Sequence, residues 1–160
     1  MAELKCSREP AERLVTYALG SCLAVAVHDP AAGVAGLLHV MMPDSVIDPG
    51  KAAANPAMFV DTGVPMLFKS CYALGAKKER MTVIVAGGAH QGDNEEDDRF
   101  RIGKRNFAAL RKLLWRNGVM IGAAEVGGSR QPRTLWMDVG SGEVLLKVNG
   151  RELALKPAGG

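Results

Sequence analysis

Cysteine is scarce in this chain: three residues in 160, at positions 6, 22 and 71. Their number is odd and their spacing wide, with no paired C-x-x-C, so neither a disulfide framework nor a zinc knuckle is implied. Aromatic residues make up 5% of the chain, too few for base-stacking platforms. Charge of one sign is also lacking. Twenty basic and 17 acidic residues give a net +3, evenly mixed, without the clustered basic face of a nucleic-acid binder. No apolar run reaches 18 residues, so an ordinary membrane-spanning helix is not expected. The first ten residues carry charges where a signal peptide needs its apolar stretch, so the chain reads as cytoplasmic.

What is present is a 48% hydrophobic content spread along the chain, enough for one domain with a real core. That domain is expected to span 1–160, with about 1–12 and 156–160 as frayed termini. Cys6 falls in the first of these. Residues 14–42 are rich in Val, Ala and Leu, broken at Gly20-Ser21 and at Asp29–Gly33, and read as a β-hairpin. Apolar positions at three- and four-residue spacing predict a helix over 56–76, inward at Cys71, capped by Gly75 and kinked or started late, near Gly63, by Pro65. A buried strand is expected over 81–86, a solvated acidic loop over 93–98 and a second amphipathic helix over 103–117, stopped by Gly118. Strands follow over 119–126, 134–139 and 144–148. Sequential hairpins with more strands than helices predict an α+β fold, a layered α/β/β sandwich of mainly antiparallel or mixed strands with two principal helices.

The chemistry-bearing stretch is Thr16-Tyr17-Ala18-Leu19-Gly20-Ser21-Cys22, followed across the hairpin by Leu37-Leu38-His39. A four-residue loop, Pro30–Gly33, sets Asp29 opposite Val34, Ala24 opposite His39 and Cys22 opposite Met41. Cys22 and His39 then become diagonal neighbours on one face, roughly 7–8 Å apart at Cα. A three- or five-residue loop puts them on opposite faces. If they meet, the imidazole can take the thiol proton and lower its pKa. Small side chains at Gly20 and Ser21 leave backbone N–H groups open to a developing oxyanion. Thr16 either orients His39 through its hydroxyl or is simply a β-branched strand residue. From these residues alone, Cys22 is either a packing cysteine or a nucleophile. Cys6 and Cys71 read as packing residues, and the turn Gly87–Gln91 either as a plain strand ending, the preferred reading, or as a border of the cleft.

Leu19-Gly20-Ser21-Cys22-Leu23-Ala24-Val25 with Asp29, then Gly36-Leu37-Leu38-His39-Val40-Met41-Met42-Pro43, resembles the opening signature of the chemoreceptor glutamine deamidases. The resemblance continues in order through Phe59-Val60-Asp61-Thr62, Leu74-Gly75-Ala76, Gly87-Gly88-Ala89, Ile102-Gly103-Lys104-Arg105-Asn106 and Val126-Gly127-Gly128. It implies Cys22 as nucleophile, His39 as base and Thr16 as support for His39, in a hydrolysis of receptor glutamine side chains to glutamate that needs no metal or cofactor. It further implies partners in the cytoplasmic helices of chemoreceptors and in a CheC-type phosphatase. A weakly catalytic chemotaxis adaptor and a cysteine hydrolase of another amide are the alternatives. The chain departs from the family pattern at Val83-Ile84-Val85-Ala86, where a Lys is common, and at Ser129-Arg130-Gln131-Pro132-Arg133, where a Gly-Arg pair is common. The acidic stretch after His90 is also longer.

Overall fold

The computed structural model describes residues 2–129 and 131–157. Among the described residues nine strands and three α-helices form three layers. A five-stranded sheet has the order β1-β4-β3-β5-β6, from Glu3–Ser7 (β1), Leu23–Asp29 (β3), Val34–Val40 (β4), Thr82–Gly87 (β5) and Ala123–Val126 (β6). A four-stranded antiparallel sheet has the order β2-β7-β8-β9, from Arg13–Thr16 (β2), Arg133–Asp138 (β7), Val144–Val148 (β8) and Arg151–Leu155 (β9). A short helix, Pro49–Ala54 (α1), precedes the two principal ones, Val60–Ala73 (α2) and Ile102–Arg116 (α3). All pairings in the first sheet are antiparallel except β5 with β6, which are parallel and joined through α3. This is the expected α+β, α/β/β sandwich.

The uninterrupted apolar runs of β3, β4 and β5 follow from burial on both faces. Leu23, Val25, Val27, Leu38 and Val40 face α2 and α3, meeting Val64, Leu67, Leu110 and Leu114. The other face carries mostly small residues, Ala24, Ala26, Ala35 and Ala86. The second sheet comes down on these with Leu135, Met137, Val144 and Leu146. β7 alternates buried and half-buried residues, as a strand with one covered face must.

The hairpin closes as expected. Asp29 faces Val34 and Ala24 faces His39. Asp29 fixes the loop: its backbone carbonyl accepts from Gly33 N (2.9 Å), and Oδ1 accepts from the amides of Ala31 (3.0 Å) and Ala32 (3.2 Å). Its side chain is fully buried, and it accepts further from Lys77 N (2.9 Å) and Arg80 Nε (3.0 Å). Burial pushes this carboxyl up, but the Arg80 guanidinium and the Lys77 and Ala32 amides outweigh it and hold the pKa at about 2.

Both long helices end in the same hydrogen-bonded motif. Ala76 N donates to Cys71 O and Gly75 N to Tyr72 O; Val119 N donates to Leu114 O and Gly118 N to Trp115 O. Gly75 (φ 105°) and Gly118 (φ 70°) supply the positive φ that this requires.

Several expectations need correction. The first residues are not a frayed terminus: Glu3–Ser7 is an edge strand paired with β4, with Leu4 and Cys6 turned toward the core. At the other end β9 reaches Leu155, and residues 158–160 of the expected frayed tail lie outside the described residues. Residues 13–16 do not belong to the hairpin's sheet. They pair with β7 in the second sheet, and the chain crosses between layers at 17–22. Helix α2 does not wait for Gly63, because outside bonds (Val60 N to Met42 O, 2.9 Å; Thr62 Oγ1 to Pro56 O, 2.6 Å) fold its first turn ahead of Pro65. The acidic stretch forms a 3-10 turn over Glu95–Asp97, and Asp98 is buried rather than solvated, accepting from Gln91 N and Arg101 N.

Candidate active site

The site is built where the chain passes from the second sheet into the first. β2 ends at Thr16, and β3 begins at Leu23. Between them Ala18 takes a left-handed conformation (φ 55°), uncommon outside glycine, and the backbone bends through Gly20, Ser21 and Cys22. Cys22 thus sits one residue before β3, half-buried, two residues from the Ala24 that faces His39.

His39 shares the inter-sheet face with Ala24, and across that interface it meets Thr16. Thr16 Oγ1 and His39 Nδ1 are 2.7 Å apart, both residues being almost wholly buried. Among the described residues Nε2 has no hydrogen-bond partner. Burial lowers the imidazole pKa to about 4, so the ring is neutral near pH 7. With Nδ1–H donating to the threonine, Nε2 holds the free lone pair. On the far side of β4, β1 places Glu3 opposite His39. Glu3 and Lys5 line a small cleft there with Leu14, Thr16 and His39.

The thiol does not match the expectation of a lowered pKa. Burial pushes Cys22 up, and among the described residues it makes no hydrogen bond to His39. Cys22 is held as a neutral thiol and His39 as a neutral imidazole, rather than as the two halves of an ion pair.

Three carbonyls hold the bend from outside: Gly20 O accepts from Ala89 N (2.9 Å), Cys22 O from Gly88 N (2.8 Å), and Ser21 O from Asn106 Nδ2 (3.1 Å). Among the described residues no protein acceptor engages the amides of Gly20 or Ser21, while the Cys22 amide turns to its own sulfur. A Cβ on Gly20 would meet nothing within 4 Å, so the bend borders open space.

The turn after β5 therefore does more than end a strand. Gly87 (φ 111°) lies so close to Cys22 O that a Cβ there would collide with it. Arg133, buried, donates to Gly87 O (3.1 Å) and Gly127 O (2.6 Å), tying both glycine turns together. The neighbouring Arg130 lies outside the described residues. Ile84, near the position where a Lys is common, is buried against the second sheet. Sequence reasoning gave Asn106 no role of its own. It is fully buried on α3, and its Nδ2 donates to Met41 O (3.1 Å) as well as to Ser21 O, joining the bend to the end of β4. A signal existed: Asn106 falls on the same helix stripe as Gly103 and Leu110, and an amide on an inward stripe needs a hydrogen-bonding reason.

Among the described residues no three His, Cys, Asp or Glu side chains gather to hold a metal ion, and no helix is long and apolar enough to cross a membrane.

The layered sandwich carries a buried Thr16–His39 pair on its inter-sheet face, with Cys22 leading into the strand that faces His39. The family model for CheD chemotactic sensory transduction matches residues 41–148, more than half the chain, starting just beyond His39. A probable chemoreceptor glutamine deamidase CheD 1 of Syntrophus aciditrophicus is 46% identical over 153 residues, covering 96% of this chain and 94% of the relative. The probable CheD deamidase of Solibacter usitatus is 42% identical, with 99% and 92% covered; that of Thermococcus kodakarensis is 36% identical, with 82% and 80% covered. The chain belongs to the CheD family.

Proposed function

We propose that this chain is a cytoplasmic, cysteine-dependent amidohydrolase that converts glutamine side chains on the cytoplasmic helices of chemoreceptors to glutamate, releasing ammonia. The observation that carries this reading is the Thr16–His39 hydrogen bond, which leaves a neutral imidazole whose second nitrogen has no partner among the described residues, on the strand facing the one that Cys22 leads into. Membership of a family whose curated members are named as such deamidases supports the substrate class.

The groups suffice for the chemistry. His39 Nε2 takes the Cys22 proton as sulfur adds to the carboxamide carbon, so the raised thiol pKa makes proton transfer part of the attack rather than a step before it. The backbone amides of Gly20 and Ser21, which engage no acceptor among the described residues, serve as donors to the oxyanion. The imidazolium returns its proton to the departing ammonia, leaving a thioester. The same imidazole then takes a proton from water, which cleaves the thioester to carboxylate and thiol. Thr16 holds the ring in the tautomer and orientation that both steps need.

The deciding experiment is ammonia release from a glutamine-containing receptor cytoplasmic fragment. Cys22→Ala should keep its fold, losing on the order of 1 kcal/mol of stability, and release no ammonia. A folded Cys22→Ala protein that still deamidates the fragment refutes the assignment. The family resemblance also suggests a CheC-type phosphatase as a partner, which co-purification of the two proteins would check.

A further inference from the structure

The other two cysteines, 65 residues apart in sequence, meet in the fold. Cys6 Sγ on β1 lies 3.3 Å from Cys71 Sγ on α2, and Cys6 also reaches Leu67 O at 3.8 Å. Their approach depends on the residue between them. Gly36 of β4 faces Cys6 in the ladder, and a Cβ there would stand 2.7 Å from Cys71 Sγ and 2.8 Å from Leu67 Cδ1. A side chain at Gly36 would therefore push helix and strand apart; its absence lets the two sulfurs touch. Cys71 is fully buried, whereas Cys6 is half-buried on an edge strand, within reach of small molecules.

We propose that Cys6 and Cys71 are a redox-active dithiol that closes to a disulfide, joining edge strand β1 to helix α2. Closing to the ordinary S–S length of about 2.05 Å requires the sulfurs to approach by roughly 1.3 Å. The edge position of β1, bonded among the described strands to β4 alone, permits that movement. The roles of the two thiols differ. A hydrogen bond from the Cys71 thiol lowers the Cys6 pKa against the opposing effect of burial, while the same contact and burial raise that of Cys71. Cys6 is thus the attacking sulfur. Its thiolate attacks a small-molecule disulfide such as oxidised glutathione, expelling one small thiol and forming a mixed disulfide. Cys71 then gives up its proton and attacks the Cys6 sulfur, expelling the second. Two protein thiols are oxidised and one small disulfide is reduced to two thiols. β1 also lines the cleft at His39, through Glu3 and Lys5, so the bond fixes one wall of that cleft. The dithiol does not depend on the deamidase reading.

The test is to incubate the full chain with oxidised glutathione, then count free thiols after denaturation and map the peptides by mass spectrometry. Free thiols should fall from three to one, with Cys6 and Cys71 in one linked peptide and Cys22 still free. Closing so long a loop should raise the thermal midpoint by about 10 °C, reversed by dithiothreitol. Cys6→Ser should keep both remaining thiols free. Since the decisive reading is on the unaltered chain, misfolding of that variant would not shield the proposal, and Cys71→Val provides a second control. Three thiols left free, a stable glutathione adduct at Cys6, or a bond involving Cys22 would each overturn it.

Discussion

Asn106 offers a direct test of how the candidate nucleophile is held. Replacing it with alanine removes two hydrogen bonds of 3.1 Å and leaves the carbonyls of Ser21 and Met41 without that donor. A buried acceptor stripped of its partner costs about 1–3 kcal/mol. Against this, Asn106 Oδ1 is itself buried with no partner among the described residues, so its removal returns a cost of the same kind. The balance is a loss of about 2 kcal/mol, measured as the shift in free energy of urea unfolding. The effect on turnover should be larger in proportion. The two carbonyls belong to the segments carrying Cys22 and His39, and a misplacement of about 1 Å between reacting groups costs on the order of 100-fold. Asn106→Ala should therefore lower kcat for ammonia release on the order of 10- to 100-fold while leaving KM for a receptor fragment nearly unchanged. A variant that loses the stability but keeps full kcat would show that the amide braces the fold and not the site.

Two other predictions concern titration and burial. His39 titrates near 4 in the folded protein against 6.5 when unfolded, so the unfolded chain takes up its proton first as the pH falls. Stability should fall by about 3 kcal/mol between pH 6.5 and 4, at 1.36 kcal/mol per pH unit, and be fully present above that range. Urea unfolding across this range, compared with His39→Gln, isolates the contribution; equal slopes in both proteins would refute it. Asp29→Ala removes the acceptor at the hub of the hairpin loop. It should cost about 3 kcal/mol, the lower end for breaking a buried ion pair, because Arg80 is partly exposed and can rehydrate. Asp29 is held at about 2, so its stabilisation is present above the ordinary carboxylate range and disappears as the pH falls toward that value. An Asp29→Ala protein as stable as the parent at pH 7 would contradict this account.

The parts of the molecule legible from its sequence are those fixed by neighbours along the chain. The hairpin register could be read because Asp29, Pro30 and Gly33 specify a loop length, and that length decides which face His39 takes. The helix ends could be read because Gly75 and Gly118 permit a conformation that other residues resist. What could not be read depends on layers meeting. Thr16 touches His39 from the opposite sheet, a contact that no register argument within one hairpin can produce. Asn106 reaches Ser21 across 85 residues, and Cys6 reaches Cys71 across 65. β1 was readable in principle: Glu3, Leu4, Lys5 and Cys6 alternate with period two, but the charged half of the pattern resembles a solvated terminus when no partner strand is in view. The raised Cys22 pKa was not readable, since it comes from burial that only the packed sandwich supplies.

Consider last the three consecutive carbonyls at Gly20, Ser21 and Cys22, each gripped by a donor from elsewhere in the molecule. None of these grips involves a side chain of the bend itself. The path of Gly20–Cys22 is therefore held from outside, and a change at Ser21 should leave its course intact. The constraint is displaced onto remote positions, Gly87, Gly88 and Asn106, where even one added methyl or one lost amide is felt. In a saturation scan of the chain, the residues least free to vary around the thiol should be ones that never approach a substrate.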